Sequence, residues 1–193
     1  MTRIAVVVGT TRPGRKAEAV ARWVHGLAAA RGDAEFELLD IESFGLPLLD
    51  EPLPPSLGRY TRPHTRAWSE AVARFDGFLF VTPEYNHGIP GSLKNAIDFL
   101  NSEWANKAAG FVGYGAAGGS RAVEQLRLVL AELRVATVRA GVYLSIFTDF
   151  ENFAEFTPGS HQVQFLEQTL DQVVEWAQAL KPLRAESESG AAA

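Results

Sequence analysis

The stretch Ile4–Ala28, IAVVVGTTRPGRKAEAVARWVHGLA, changes periodicity part way along. Ile4–Val8 is an unbroken apolar run, as a strand buried on both faces requires. From Ala17 the apolar residues Ala17, Val20, Ala21, Val24, Leu27 and Ala28 recur at helix-face spacing. A strand, a short loop and a helix make the first part of a βαβ unit. The same alternation continues outward. Glu35–Ile41 is a second strand, and Trp68, Ala71, Val72 and Phe75 mark a helix face. Gly77–Thr82 (GFLFVT), Ala108–Tyr114 and Thr137–Ile146 are the third, fourth and fifth strands. Leu93, Ala96, Ile97 and Leu100 line a third helix, and Val123, Leu126, Leu130 and Leu133 a fourth. A last helix spans about His161 to Leu180, with Val163, Leu166, Leu170, Val173, Val174 and Ala177 inward. Five such units predict an α/β fold, a three-layer doubly wound sheet of five parallel strands. The common strand order is 2-1-3-4-5. Ligands then bind at the carboxyl ends of the strands, where the chain reverses between strands 1 and 3.

Composition narrows the class. The 193 residues are 47% hydrophobic and 21% charged, which excludes a disordered or fibrous chain. The formal net charge of −5 gives no support to nucleic-acid binding. There is no cysteine, so disulfides, thiolate metal sites and cysteine nucleophiles are excluded. No apolar run reaches the roughly 20 residues of a membrane span. The N-terminus reads as a core strand and not as a signal peptide. The expectation is a cytoplasmic protein with one domain over residues 1–184 and a frayed tail at 185–193. Half of the ten prolines fall within Pro47–Pro63, a long irregular loop of the kind that is functional or mobile.

Three segments follow the informative strand ends. After strand 1 comes Gly9-Thr10-Thr11-Arg12-Pro13-Gly14-Arg15-Lys16-Ala17, with a helix starting inside it. Through Arg31 the chain carries six basic residues against one acid. Hydroxyls, cations and an incipient helix N-terminus suit a phosphate monoester. Arg15-Lys16 stand where the nucleotide-triphosphate loop needs Lys-Ser/Thr, so that motif is absent. After strand 3, Pro83-Glu84-Tyr85-Asn86-His87-Gly88-Ile89-Pro90-Gly91-Ser92 is a stiff turn with apolar walls, suited to the edge of a planar ring. After strand 4, Gly113–Arg121 contains G-x-G-x-x-G, but beyond the fourth strand and with no acid about 20 residues on; it is not a dinucleotide fingerprint. Ala122 stands where a G-x-S-x-G nucleophile motif needs its last glycine, which disfavours a hydrolase.

Gly9-Thr10-Thr11-Arg12, Pro83-Glu84-Tyr85-Asn86 and Ser92-Leu93-Lys94-Asn95-Ala96-Ile97-Asp98 together resemble the NAD(P)H-dependent FMN reductases, a flavodoxin-like family that includes quinone and azo-dye reductases. The likeness spans about Ile4 to Leu144. That family usually has serine early in the phosphate loop; Thr10 takes its place here. The resemblance implies FMN with its phosphate on Thr10, Thr11, Arg12, Arg15, Lys16 and Ala17. It puts the ring against Pro83, Glu84, Tyr85, Asn86 and Gly88 on one side and Gly115, Gly118 and Gly119 on the other. It implies NADPH or NADH as co-substrate, and a quinone, free flavin or azo compound as acceptor in ping-pong order. No side chain need act as acid or base. A homodimer or a tetramer of dimers is expected, with Phe99, Trp104, Tyr60 and the Pro47–Pro63 loop as candidates to cover the ring. A flavodoxin-type electron carrier is the competing reading, since it shares the fold.

Overall fold

The N-terminal apolar run forms β1 (Arg3–Val8), and β2 (Glu35–Asp40), β3 (Gly77–Pro83), β4 (Ala108–Gly115) and β5 (Ala136–Ser145) complete the main sheet. The computed structural model describes residues 1–185. The expected tail therefore lies outside the described residues, apart from Ala185. Strand order is β2-β1-β3-β4-β5 with every pairing parallel, as the sequence predicts. The pleat explains why both faces are covered. Ile4, Val6 and Val8 enter one core with α1 (Ala17–Ala29) and α5 (His161–Ala179). Ala5 and Val7 enter the other with α2 (Pro63–Ala73), α3 (Gly91–Asp98) and α4 (Ser120–Glu132).

The second core is rich in aromatics. Trp104 packs 5.0 Å from Phe78 and 6.1 Å from Trp68, ring centre to ring centre. Its Nε1–H donates to the Ile97 carbonyl at 3.1 Å. Phe99 is equally buried. Both were candidates to cover the ring; instead they fill the layer between sheet and helices, where burying a large ring stabilises most. Helix faces also end a residue or two earlier than the periodicity suggests. Phe75, Leu100 and Leu133 follow the last helical residue of α2, α3 and α4, each in a closing turn whose N–H bonds the carbonyl three residues back.

One element is absent from the sequence reading. Beyond β5, β6 (Phe150–Glu151) and β7 (Glu155–Phe156) form a two-residue antiparallel hairpin. Asp149, only 2% exposed, holds its base. Its carboxylate accepts from the Ser145 N–H at 2.9 Å, the Thr148 hydroxyl at 3.1 Å and the Gly159 N–H at 3.2 Å.

Candidate functional site

The loop after β1 meets the turn after β3 at the predicted reversal. The Thr10 hydroxyl lies 3.1 Å from the Tyr85 hydroxyl, and the Arg12 guanidinium sits 5.8 Å from the Tyr85 ring centre. α1 begins at Ala17 with Lys16 as its capping position, and no side chain caps it. Its first N–H groups are therefore free to meet an anion, apart from that of Ala17, which meets the Tyr114 hydroxyl. Burial and the nearby Tyr85 push the Tyr114 hydroxyl above its usual range, so it stays protonated.

The three cations of the loop differ in their surroundings. The Arg15 guanidinium is 5% exposed and bonds the Thr10 carbonyl at 2.7 Å, Asp40 at 2.5 Å, Glu42 at 2.6 Å and Glu18 at 3.0 Å. Burial alone would favour its neutral form, but the three carboxylates hold it charged. Its charge is thus matched by the protein, and its contact to Thr10 shapes the loop. Arg12 and Lys16 have no carboxylate within ion-pair distance among the described residues. A cavity of about 290 Å³ opens beside this loop, lined in part by Thr11, Gly45, Ser92 and Asn95.

After β3, Tyr85 to Gly88 form a closed turn. The Tyr85 N–H donates to the Gly88 carbonyl at 3.0 Å and the Gly88 N–H to the Tyr85 carbonyl at 3.2 Å. Asn86 (φ 49°) and His87 (φ 72°) both adopt the left-handed conformation, as a type I′ turn needs. Gly88, which the resemblance puts against the ring, spends its N–H within the turn. Gln125 Oε1 accepts the Ile89 N–H at 2.8 Å and ties the turn to α4. Glu84 ties it to the end of β4, where its N–H donates to the Tyr114 carbonyl at 3.0 Å, and to the first turn of α4. Its carboxylate accepts from the Arg121 N–H at 3.1 Å and from the Arg121 guanidinium. Burial would raise the Glu84 carboxyl, but Arg121 outweighs it and holds the group below the usual range. Gly119 (φ 74°) is fixed by close approach: a Cβ there would lie 2.5 Å from the Tyr114 nitrogen.

The segment from Pro47 to Pro63 is pinned over α2 and α3. Asn95 accepts the Leu49 N–H at 2.9 Å and donates to the Pro47 carbonyl at 2.7 Å. Glu51 accepts the Thr61 and Arg62 N–H groups, both at 2.9 Å. Desolvation would raise the Glu51 carboxyl, but these donors bring it down to about 2. Tyr60 donates to Glu103 at 2.9 Å. It is engaged by its own domain and not by a ring. Another cavity, of about 550 Å³, is bordered by Leu49 and Pro55 of this loop, Val129 of α4 and Leu133 just beyond it, not by the strand ends.

The structure thus brings together Thr10–Ala17, Pro83–Gly88 and Gly115–Gly119, the last two through Glu84. Sequence reasoning missed Tyr114, Arg121, Gln125 and Asp40. Their partners lie tens of residues away, and local motifs carry no signal for them.

A doubly wound parallel sheet in this order, with an uncapped, cation-flanked helix N-terminus at its switch point, defines a flavodoxin-like domain. Residues 2–149 match the family described as NADPH-dependent FMN reductase. An NAD(P)H-dependent FMN reductase of Nectria sp. is 38% identical over 159 residues, covering 77% of this chain and 79% of that protein. A 2-hydroxy-1,4-benzoquinone reductase of Burkholderia sp. is 37% identical over 141 residues, covering 69% of this chain and 72% of the relative. In fold, a flavoenzyme NAD(P)H:acceptor oxidoreductase of Paracoccus denitrificans superposes with a TM-score of 0.71 at 24% identity, over 93% of this chain and 98% of that one. The chain belongs to the NADPH-dependent FMN reductase family, and it is an oxidoreductase.

Proposed function

We propose that this protein binds FMN at the junction of the β1 and β3 loops and carries electrons from NAD(P)H to a small-molecule acceptor in the cytoplasm. One observation carries the reading: an uncapped α1 with the unmatched cations Arg12 and Lys16 stands beside the Tyr85 turn. The donor set fits a phosphate monoester, and glycine at 115, 118 and 119 leaves a smooth wall for a flat ring. Bound there, FMN would supply hydride acceptance and donation.

The protein's own groups bind and orient. Thr10, Thr11, Arg12, Lys16 and the N–H groups at the start of α1 hold the phosphate, while Arg15 fixes the loop through Thr10. Pro83, Glu84, Tyr85 and Asn86 flank the ring on one side and Gly115, Gly118 and Gly119 on the other. Among the described residues the N–H groups of Asn86 and His87 have no hydrogen-bond partner, so they can offset negative charge on a reduced ring. NAD(P)H and acceptor use the same open face in turn, which gives ping-pong kinetics. The acceptor is a quinone, a free flavin or an azo compound, and a second copy of the chain completes the assembly.

The test is an absorbance spectrum of the purified protein before and after anaerobic NADPH. A yellow protein that bleaches is the expected result. Colourless protein that ignores added FMN rejects the site. Yellow protein that neither NADPH nor NADH bleaches rejects the reductase activity and leaves an electron carrier.

A further inference from the structure

Phe147 and Phe153 are 63% and 57% exposed, yet their rings meet edge to face at 5.7 Å. Two large aromatics in mutual contact in solvent form an apolar surface unlike scattered single residues. Phe153 sits in the β6–β7 hairpin and Phe147 in the turn that leads into it from β5, at the edge of the sheet that carries the site. The Ile146 N–H, one residue before Phe147, donates to the Gly115 carbonyl at 3.1 Å. Phe150 lies 6.0 Å from the Tyr114 ring, whose hydroxyl meets the start of α1. Phe156 packs 5.5 Å from Trp23 of α1. The hairpin is therefore fixed on one side to the Gly115 loop and on the other to the helix that receives the phosphate. Asn152 and Phe153 both have positive φ, a costly conformation for phenylalanine that presents it at the tip.

The charge of the hairpin selects what can lie against it. Glu151 and Glu155 flank Phe153 and are exposed, so the surface is aromatic and acidic. The phosphates of a dinucleotide are repelled there, so only its uncharged ring could share this side of the open face. A flat uncharged molecule stacks without electrostatic cost.

We infer that Phe147 and Phe153 form the wall against which an uncharged planar acceptor, of the benzoquinone or naphthoquinone type, is held, and that Glu151 and Glu155 exclude anionic acceptors. The inference rests on the reading of the site as a flavin reductase. The overall step balances: NAD(P)H gives two electrons and one proton as hydride, water gives the second proton, and the quinone becomes its hydroquinone.

The experiment uses the FMN-loaded enzyme and separates the two half-reactions. Phe147→Ala/Phe153→Ala is expected to raise KM for a neutral naphthoquinone about tenfold, with kcat and the rate of bleaching by NADPH kept. Phe147→Tyr/Phe153→Tyr is expected to restore KM. Glu151→Gln/Glu155→Gln is expected to improve kcat/KM for a sulfonated azo dye several-fold at low salt and leave the neutral quinone alone. Slower bleaching by NADPH in the alanine variant would instead assign the pair to the dinucleotide and overturn the inference. An unchanged quinone KM also overturns it, and a changed sedimentation coefficient beside that result assigns the pair to a subunit contact. Failure of the wild-type protein to bind FMN or to bleach is a different outcome, which removes the underlying reading.

Discussion

Arg12 and Arg15 stand three positions apart in one basic loop, yet their surroundings give them different work. Arg15 is enclosed by Asp40, Glu42 and Glu18. Arg12 is exposed, with the Tyr85 ring beside it and no carboxylate in ion-pair distance among the described residues. A charged hydrogen bond is worth about 1.5–3 kcal/mol. Arg12→Ala should therefore weaken FMN binding about ten- to a hundredfold without lowering the melting temperature of the FMN-free protein. Titration of that protein with FMN, followed by flavin fluorescence, checks this; an unchanged Kd removes Arg12 from the site. Gly119 makes the opposite prediction. A Cβ there meets the Tyr114 nitrogen at 2.5 Å and the Gly113 α-carbon at 2.8 Å, and the position has φ 74°. Gly119→Ala should cost about 1–3 kcal/mol, or roughly 2–12 °C in Tm for a chain of this size. It should also distort the loop after β4. Gly91→Ala is the control, because a Cβ at Gly91 meets nothing within 4 Å. If both variants melt alike, close approach is not what fixes glycine at 119.

At the scale of elements, side chains do the work that regular backbone pairing does not. β5 is an edge strand, and its outer groups are covered: Arg127 donates to the Val138 carbonyl at 2.6 Å, and Gln172 accepts the Ala140 N–H at 2.9 Å. Such covering blocks edge-to-edge association. The long proline-rich loop is held in the same way, by Asn95 at its start and Glu51 at its end. The Glu51 carboxyl lies at about 2 in the folded chain against an ordinary 4.5. A depressed folded value means that its stabilisation is fully present above pH 4.5 and lost as pH falls toward 2. Glu51→Gln should therefore melt below the wild type at neutral pH, and the gap should close across that acid window. A gap that stays constant from pH 6 to about pH 2 would mean that the carboxylate charge is not what holds the loop.

For the molecule as a whole, what was legible in sequence was what local periodicity encodes. The apolar runs Ile4–Val8 and Gly77–Thr82 declared buried parallel strands, and glycine, proline and basic residues marked the loops that meet at the strand ends. Contacts between distant segments were not legible. Asp40 matches Arg15 only once β2 lies beside β1, Trp104 reads equally well as a core or a surface ring, and a hairpin of two-residue strands has no alternation to detect. The same limit applies to assembly, where the folded surface says more than the sequence. Leu48 (85% exposed), Leu53 and Leu57 of the pinned loop and Leu128 of α4 (77% exposed) are exposed on the two segments that also supply Leu49 and Val129 to the cavity there. Exposed leucines next to a cavity on one face suit an interface between two copies related by a two-fold axis, in which the same patch meets itself. A stable interface needs about 800 Å² from each partner, and charge placed on these leucines would be buried unpaired at a cost of several kcal/mol. Sedimentation velocity at micromolar protein should show wild-type dimer, alone or paired into larger assemblies, and Leu48→Glu/Leu128→Glu should sediment as monomer with its melting temperature nearly unchanged. Wild-type monomer at that concentration would refute the dimer, and a variant that stays dimeric would move the interface to another face.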